Sequence, residues 1–167
     1  AGLVVAAWSV CLGPIQAEER LPIPDRLVVL TFDDSNKSDR LFVADVVKAF
    51  GFGATFYVTE GLGFLKSKIN YTTWEEIREL HEMGFEIGNH TQHHRNVTTL
   101  SAERFERSLT HIDQRCAEHK IPKPTTFCFP GFSHGMNAVK VIDQHGFQFA
   151  RRGVRPEFND SGEGGRG

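Results

Sequence analysis

From Leu27 onward, short runs of apolar residues alternate with longer segments in which apolar residues return every three or four positions. This is the sequence form of an α/β domain with mostly parallel strands. The run RLVVLTF (26–32) predicts a first strand, apolar on both faces as a strand covered on both sides should be. Phe42, Val43, Val46, Val47 and Phe50 then fall at helical spacing, and Gly51 and Gly53 stop that helix. ATFYV (54–58) predicts a second strand. In TTWEEIRELHEMG (72–84), Thr73 and Glu76 form a capping box, Trp74, Ile77 and Leu80 share a face, and Gly84 ends the helix. FEIG (85–88) supplies a third strand. A long helix from about Ser101 to about Lys120 carries Phe105, Leu109, Ile112 and Cys116 on one side, and Pro122 and Pro124 prevent its continuation. TTFCF (125–129), a helix NAVKVIDQH (137–145) closed by Gly146, and FQFA (147–150) complete five strands.

Before the first strand, residues 1–13 form an apolar run broken by Pro14 and followed by Ala17, Glu18, Glu19 and Arg20. The pattern reads as the hydrophobic region and small-residue cleavage site of a secretory signal over 1–17. Export is therefore expected, to the exterior, the periplasm or the cell envelope, with no stable membrane insertion once the signal is removed. The run is shorter than the ~20 residues of a spanning helix. A buried first helix is the alternative. No Met or basic stretch precedes Ala1, and NDSGEGGRG (159–167) brings no terminating element, so the expected catalytic domain, 26–167, reads as truncated.

A chain of 167 residues with 40% hydrophobic content can bury one core. Its formal net charge of -2, with Lys and Arg dispersed, offers no basic stripe for a phosphate backbone, so nucleic acid is not an expected partner. Of the three cysteines Cys11 lies within the signal. Cys116 and Cys128 remain, either as a disulfide in an oxidising compartment or as two buried thiols.

The first strand ends on two adjacent carboxylates, Asp33 and Asp34, which repel unless a cation or a proton relieves them. After the third strand, FEIGNHTQHHRN places His90 and His94 four residues apart. Together with a carboxylate they offer the two-nitrogen, one-oxygen set of a catalytic divalent metal with open positions. Taken singly, each feature has a plain alternative: a turn or helix cap for the aspartates, a solvated loop for the histidines. Both, however, follow predicted parallel strands at their carboxyl ends, where α/β folds build their sites.

TFDD after an apolar strand and HTQHH after EIGN resemble the first two motifs of the NodB-type polysaccharide deacetylases, carbohydrate esterase family 4, from about Arg26 to about Ala150. The resemblance implies a distorted (β/α) barrel with fewer than eight strands, here incomplete at the C-terminus. It implies Asp34, His90 and His94 as ligands of a divalent metal, zinc first, with cobalt or manganese also suitable. It also implies Asp33 as the general base. His93 has no role in that pattern and is expected beside the ligands or facing solvent.

The third motif departs from the family. In FCFPGF (127–132), Cys128 stands where an Arg that pairs with the base is expected, and Gly131 stands where an aromatic is expected, with Phe132 one place later. Glycine still donates its N–H, so the oxyanion and substrate positions map to Gly131 and Phe132. Arg151 or Arg152, in ARRGVRPEF after the fifth strand, is the candidate replacement cation, solvated loop arginines being the alternative. His134 lies on the same rim and is a candidate to touch substrate or to serve as an acid, a plain rim residue being the alternative. The family's later motifs, a tryptophan-bearing segment and a final histidine acid, have no match before Gly167.

The expected function is therefore metal-dependent removal of N- or O-acetyl groups from a polysaccharide such as chitin-like, peptidoglycan or xylan material. Two rivals stand beside it: hydrolysis of a small amide or cyclic imide on the same fold, and a non-catalytic carbohydrate-binding relative. A closed structural zinc site fits three ligands less well.

Overall fold

The computed structural model describes residues 25–153. The apolar leader and the glycine-rich end, with the expectations attached to them, lie outside the described residues.

Five parallel strands lie side by side in chain order: β1 Thr31–Asp33, β2 Thr55–Val58, β3 Glu86–Asn89, β4 Thr126–Cys128 and β5 Phe149–Arg151. The crossovers carry the helices α1 Ala44–Ala49, α2 Trp74–Glu82, α3 Ala102–Glu118 and α4 Met136–His145. The result is the parallel half-barrel expected of a (β/α) barrel fold. Parallel crossovers leave all strand carboxyl ends on one rim, which is where Asp33, Asn89, Cys128 and Arg151 come to lie.

The helices follow their sequence signals closely. Thr73 Oγ1 accepts from the Glu76 N–H while the Glu76 carboxylate accepts from the Thr73 N–H, closing the capping box. The face of α3 that is buried consists of Phe105, Ser108, Leu109, Ile112 and Cys116. Ile112 and Cys116 join the core under β2 and β3 with Phe56, Val58, Ile77 and Leu80. Phe105 and Leu109 pack with Phe127, Phe129, Val141 and Ile142 under β4 and α4. One helix thus spans both core clusters. Gly88 permits close packing here, since a Cβ there would come within 2.4 Å of the Tyr57 ring.

Two expectations need correction. The first strand is shorter than its apolar run: Leu27, Val28 and Val29 are 56%, 77% and 69% exposed. The register explains this. Thr31 pairs with Thr55, so 27–29 face the Gly51–Gly53 turn, where there is no strand to pair with. The first helix opens with a π-helical turn, Asp39–Val43, whose extra residue rotates the stripe read at α-helical spacing. Ala44 and Val47 are buried, while Phe42, Val46 and Phe50 face outward. Of the two alternatives for the cysteines, the buried thiols hold: Cys116 and Cys128 are both free, one in the α3 core face and the other at the end of β4.

Candidate active site

Two short loops shape the rim. After β1 the chain turns at Asp34 and Ser35, with φ of 77° and 57°. Ser35 Oγ accepts from the Thr59 N–H at 2.9 Å and donates to the Thr59 carbonyl at 3.1 Å, while Thr72 Oγ1 donates to the Ser35 carbonyl. After β3, Thr91 and His94 also take positive φ, 67° and 51°. Asn89 Oδ1 accepts from the Thr91 N–H, Ser108 Oγ from the Gln92 N–H, and Thr91 Oγ1 from the His94 N–H. A left-handed residue other than glycine costs on the order of 1–3 kcal/mol, so these bonds over-determine a strained turn that delivers His94 back toward His90.

The outcome is a tight cluster. His90 Nε2 and His94 Nε2 lie 3.4 and 3.1 Å from Asp34 Oδ1. His90 is 2% exposed, and its Nδ1 is 2.7 Å from the Cys128 carbonyl oxygen. That carbonyl can only accept, so the His90 proton sits on Nδ1 and Nε2 turns a lone pair toward Asp34. Asp34 Oδ1 is buried without a hydrogen-bond donor. Ligand atoms of Asp34, His90 and His94 all lie within 4.8 Å of one another, a set that fits a divalent cation with nitrogen and oxygen ligands.

Asp33 faces a different neighbour. Arg151 Nη2 donates to Asp33 Oδ1 and Oδ2 at 2.5 and 2.6 Å, and the Arg151 guanidinium lies 5.3 Å from the centre of the Tyr57 ring. Cys128 Sγ is 3.7 Å from Asp33 Oδ2. Burial, reinforced by the Asp33 charge, pushes the Cys128 thiol up to about 12, so it stays protonated. Asp33, His90 and Cys128 also cluster within ligand distance, but a protonated thiol and an arginine-bound carboxylate make them the poorer set for a cation.

The remaining candidates occupy the segment after β4. Gly131 and Phe132 form a short 3-10 turn in left-handed backbone, φ 57° and 60°. His134 lies beyond them, where Arg152 Nη1 donates to His134 Nε2 at 2.7 Å, leaving the proton on Nδ1 directed at the Phe132 carbonyl. His93 is exposed. Sequence reasoning missed Ser35, Asn89, Thr91 and Ser108, which hold the turns. The available signal was the small polar residue next to a candidate ligand, Ser35 after Asp34 and Thr91 after His90; Ser108, on α3, comes to the site only through the fold. A cavity of about 330 Å³ lies at the opposite end of the strands, beside Phe85 and Ile121, away from this chemistry.

A sequence profile described as polysaccharide deacetylase matches residues 21–150. The chain belongs to the polysaccharide deacetylase family. It is 26% identical over 130 residues to the peptidoglycan-N-acetylglucosamine deacetylase of Bacillus cereus, covering 77% of this chain and 57% of that protein. Among solved structures it resembles IcaB from Ammonifex degensii, with TM-score 0.69 and 23% identity over 78% of this chain and 61% of that one. It also resembles a mutant, with restored enzymatic activity, of a family 4 pseudoenzyme, with TM-score 0.62 and 22% identity over 74% of this chain and 43% of that one. The chain thus spans less than two thirds of each of these relatives.

Proposed function

We propose that this polysaccharide deacetylase family member is a metal-dependent hydrolase that releases acetyl groups from an exported or cell-envelope glycan. The observation that carries the reading is the convergence of His90 Nε2, His94 Nε2 and Asp34 Oδ1, with the arginine-held Asp33 carboxylate one residue from Asp34. Asp34, His90 and His94 would hold the ion. Bound there, a divalent ion supplies Lewis acidity and lowers the pKa of water from ~15.7 toward ~7.

Asp33 then accepts the proton of the attacking water. Its two hydrogen bonds from Arg151 fix the orientation of the carboxylate beside the cluster. The Gly131 N–H, on a turn no side chain obstructs, is the candidate donor to the oxyanion formed at the acetyl carbonyl. His134, engaged by Arg152, is the candidate contact to the sugar. The resemblance to a peptidoglycan-N-acetylglucosamine deacetylase favours an N-acetylated glycan as substrate.

Acetate release from N-acetylglucosamine oligomers, with Zn, Co or Mn added and after chelation, tests this directly. Metal-dependent release is expected, and Asp33→Asn should lower it by ~10²–10⁴-fold while the protein still binds metal. Metal-independent release, or activity of Asp33→Asn within a few-fold of the parent, overturns the mechanism. The second reading, a non-catalytic glycan binder, is favoured by Cys128 in the third motif and by the pseudoenzyme among the fold neighbours. Glycan binding that persists in Asp33→Asn, with no acetate released by the parent, selects it.

A further inference from the structure

Nine arginines lie among the described residues, and six of them have a partner. Arg26 meets Asp25, Arg40 meets Glu79, Arg78 meets Glu82, Arg115 meets Glu60, Arg151 meets Asp33, and Arg152 meets His134. Arg95, Arg104 and Arg107 have side chains with no hydrogen bond or ion pair to a described residue. All three line one cavity of about 220 Å³, and no carboxylate lines it with them.

This grouping runs against the balance of the whole chain, whose formal net charge is -2. Guanidinium groups stay charged at every physiological pH, so these three exposed side chains give the hollow a positive rim that an anion would neutralise. Helix stability does not account for them. Arg104 sits in the first turn of α3, where the helix dipole disfavours a cation. Glu103, exposed on that same turn, feels the Arg107 charge but does not line the cavity. The opposite wall is Thr91, Gln92 and His93, the loop that joins His90 to His94. An anion held in the cavity is therefore next to the loop that carries two of the candidate metal ligands.

We infer that this cavity is an anion subsite, selecting glycans that carry a carboxylate on the sugar neighbouring the acetylated one. Arginine forks match a carboxylate in a bidentate fashion, and a neutral chitin-type glycan would leave them unpaired. The assignment of a glycan as the ligand rests on the deacetylase reading; the anion selectivity does not.

The test is calorimetric binding at low salt of two disaccharides, N-acetylglucosaminyl-N-acetylmuramic acid, whose lactyl group bears a carboxylate, and neutral di-N-acetylchitobiose. The acidic sugar is expected to bind about tenfold more tightly, the scale of one charge-assisted contact at a partly exposed site. Raised salt should shrink the difference. Arg104→Gln/Arg107→Gln should abolish the preference and leave chitobiose binding unchanged, which also reports that the variant is folded; Arg95→Gln should reduce the preference on its own. Equal affinity in the parent, including no binding of either sugar, overturns the inference, as does a preference that survives in the double variant. Acetate release is not part of this readout. An arginine-dependent preference without acetate release would therefore sink the hydrolase reading and leave the subsite standing.

Discussion

Cys128 and Arg151 are directly paired positions on adjacent strands, β4 and β5. The family pattern places an arginine at position 128, and here the guanidinium comes instead from its cross-strand neighbour and reaches the same carboxylate. The small thiol leaves room for it, with Sγ 3.7 Å from Asp33 Oδ2.

Arg151→Gln should reduce acetate release by about 10²-fold, the usual effect of misplacing a catalytic group by about an ångström, while metal content stays that of the parent. Adding Cys128→Arg to that variant should recover a substantial part of the loss, because the guanidinium returns from the adjacent strand. Steady-state rates for the parent, single and double variants check this; a single variant as active as the parent removes Arg151 from its positioning role.

His94→Ala should lose the divalent ion on dialysis. One of three ligands would be missing from a buried site, which weakens affinity by orders of magnitude. Metal analysis of the dialysed variant checks this, and a stoichiometry equal to the parent's rules out the ligand set.

His145 predicts a pH-dependent stability. Its Nδ1 lies 2.7 Å from Glu106 and its Nε2 2.8 Å from Asp113, so each nitrogen faces a carboxylate and the ring is held as imidazolium. The Asp113 bond, the largest cause, raises its pKa above the ordinary value. A raised histidine contributes its full stability below its unfolded value of ~6.5 and loses it as pH rises through the folded one. His145→Gln should therefore cost most near pH 5–6, on the order of 3 kcal/mol, and much less at high pH. Denaturant melts of both proteins across that range decide it; a loss independent of pH would assign His145 a packing role alone.

Asp39 carries the opposite consequence. Burial raises its carboxyl to about 7, against the help of the Asn36 N–H, and the Asp34 and Asp33 charges add to the shift. An acid raised in the fold contributes stability that is complete below its unfolded 3.8 and is lost as pH climbs to about 7. Asp39→Asn keeps an oxygen for the Asn36 N–H and should raise the melting temperature of the metal-free chain at pH 8 while changing it little at pH 4. No difference between those two pH values would show that Asp39 is not held neutral.

Much of this was readable in the chain because the signals were local. The Thr73 and Glu76 cap, the α3 stripe and the carboxylates after β1 each depend on neighbours within a few residues. Arg151 was readable as a candidate because it follows a strand; its choice over Arg152 depends on register, which ladders five strands together before deciding which side chain meets Asp33. The π-turn at Asp39–Val43 left no trace in an apolar pattern read at α-helical spacing. The arginine cavity was hidden for another reason: Arg95 and Arg107 are twelve residues apart, and only the folded return of α3 onto the motif-two loop brings them together.

The Asp33–Arg151 pair joins the first strand of the sheet to the last. Laid flat, four interstrand intervals of about 4.8 Å would hold those strands roughly 19 Å apart, beyond the reach of the two side chains. The bond is therefore a chord drawn across an open arc, and its length reports how tightly the sheet is rolled. Its two ends are 24% and 30% exposed, within reach of mobile ions. The chord therefore ties Asp33, beside the histidine cluster, to the far edge of the sheet, so the curvature of the whole arc and the position of that carboxylate are one and the same variable.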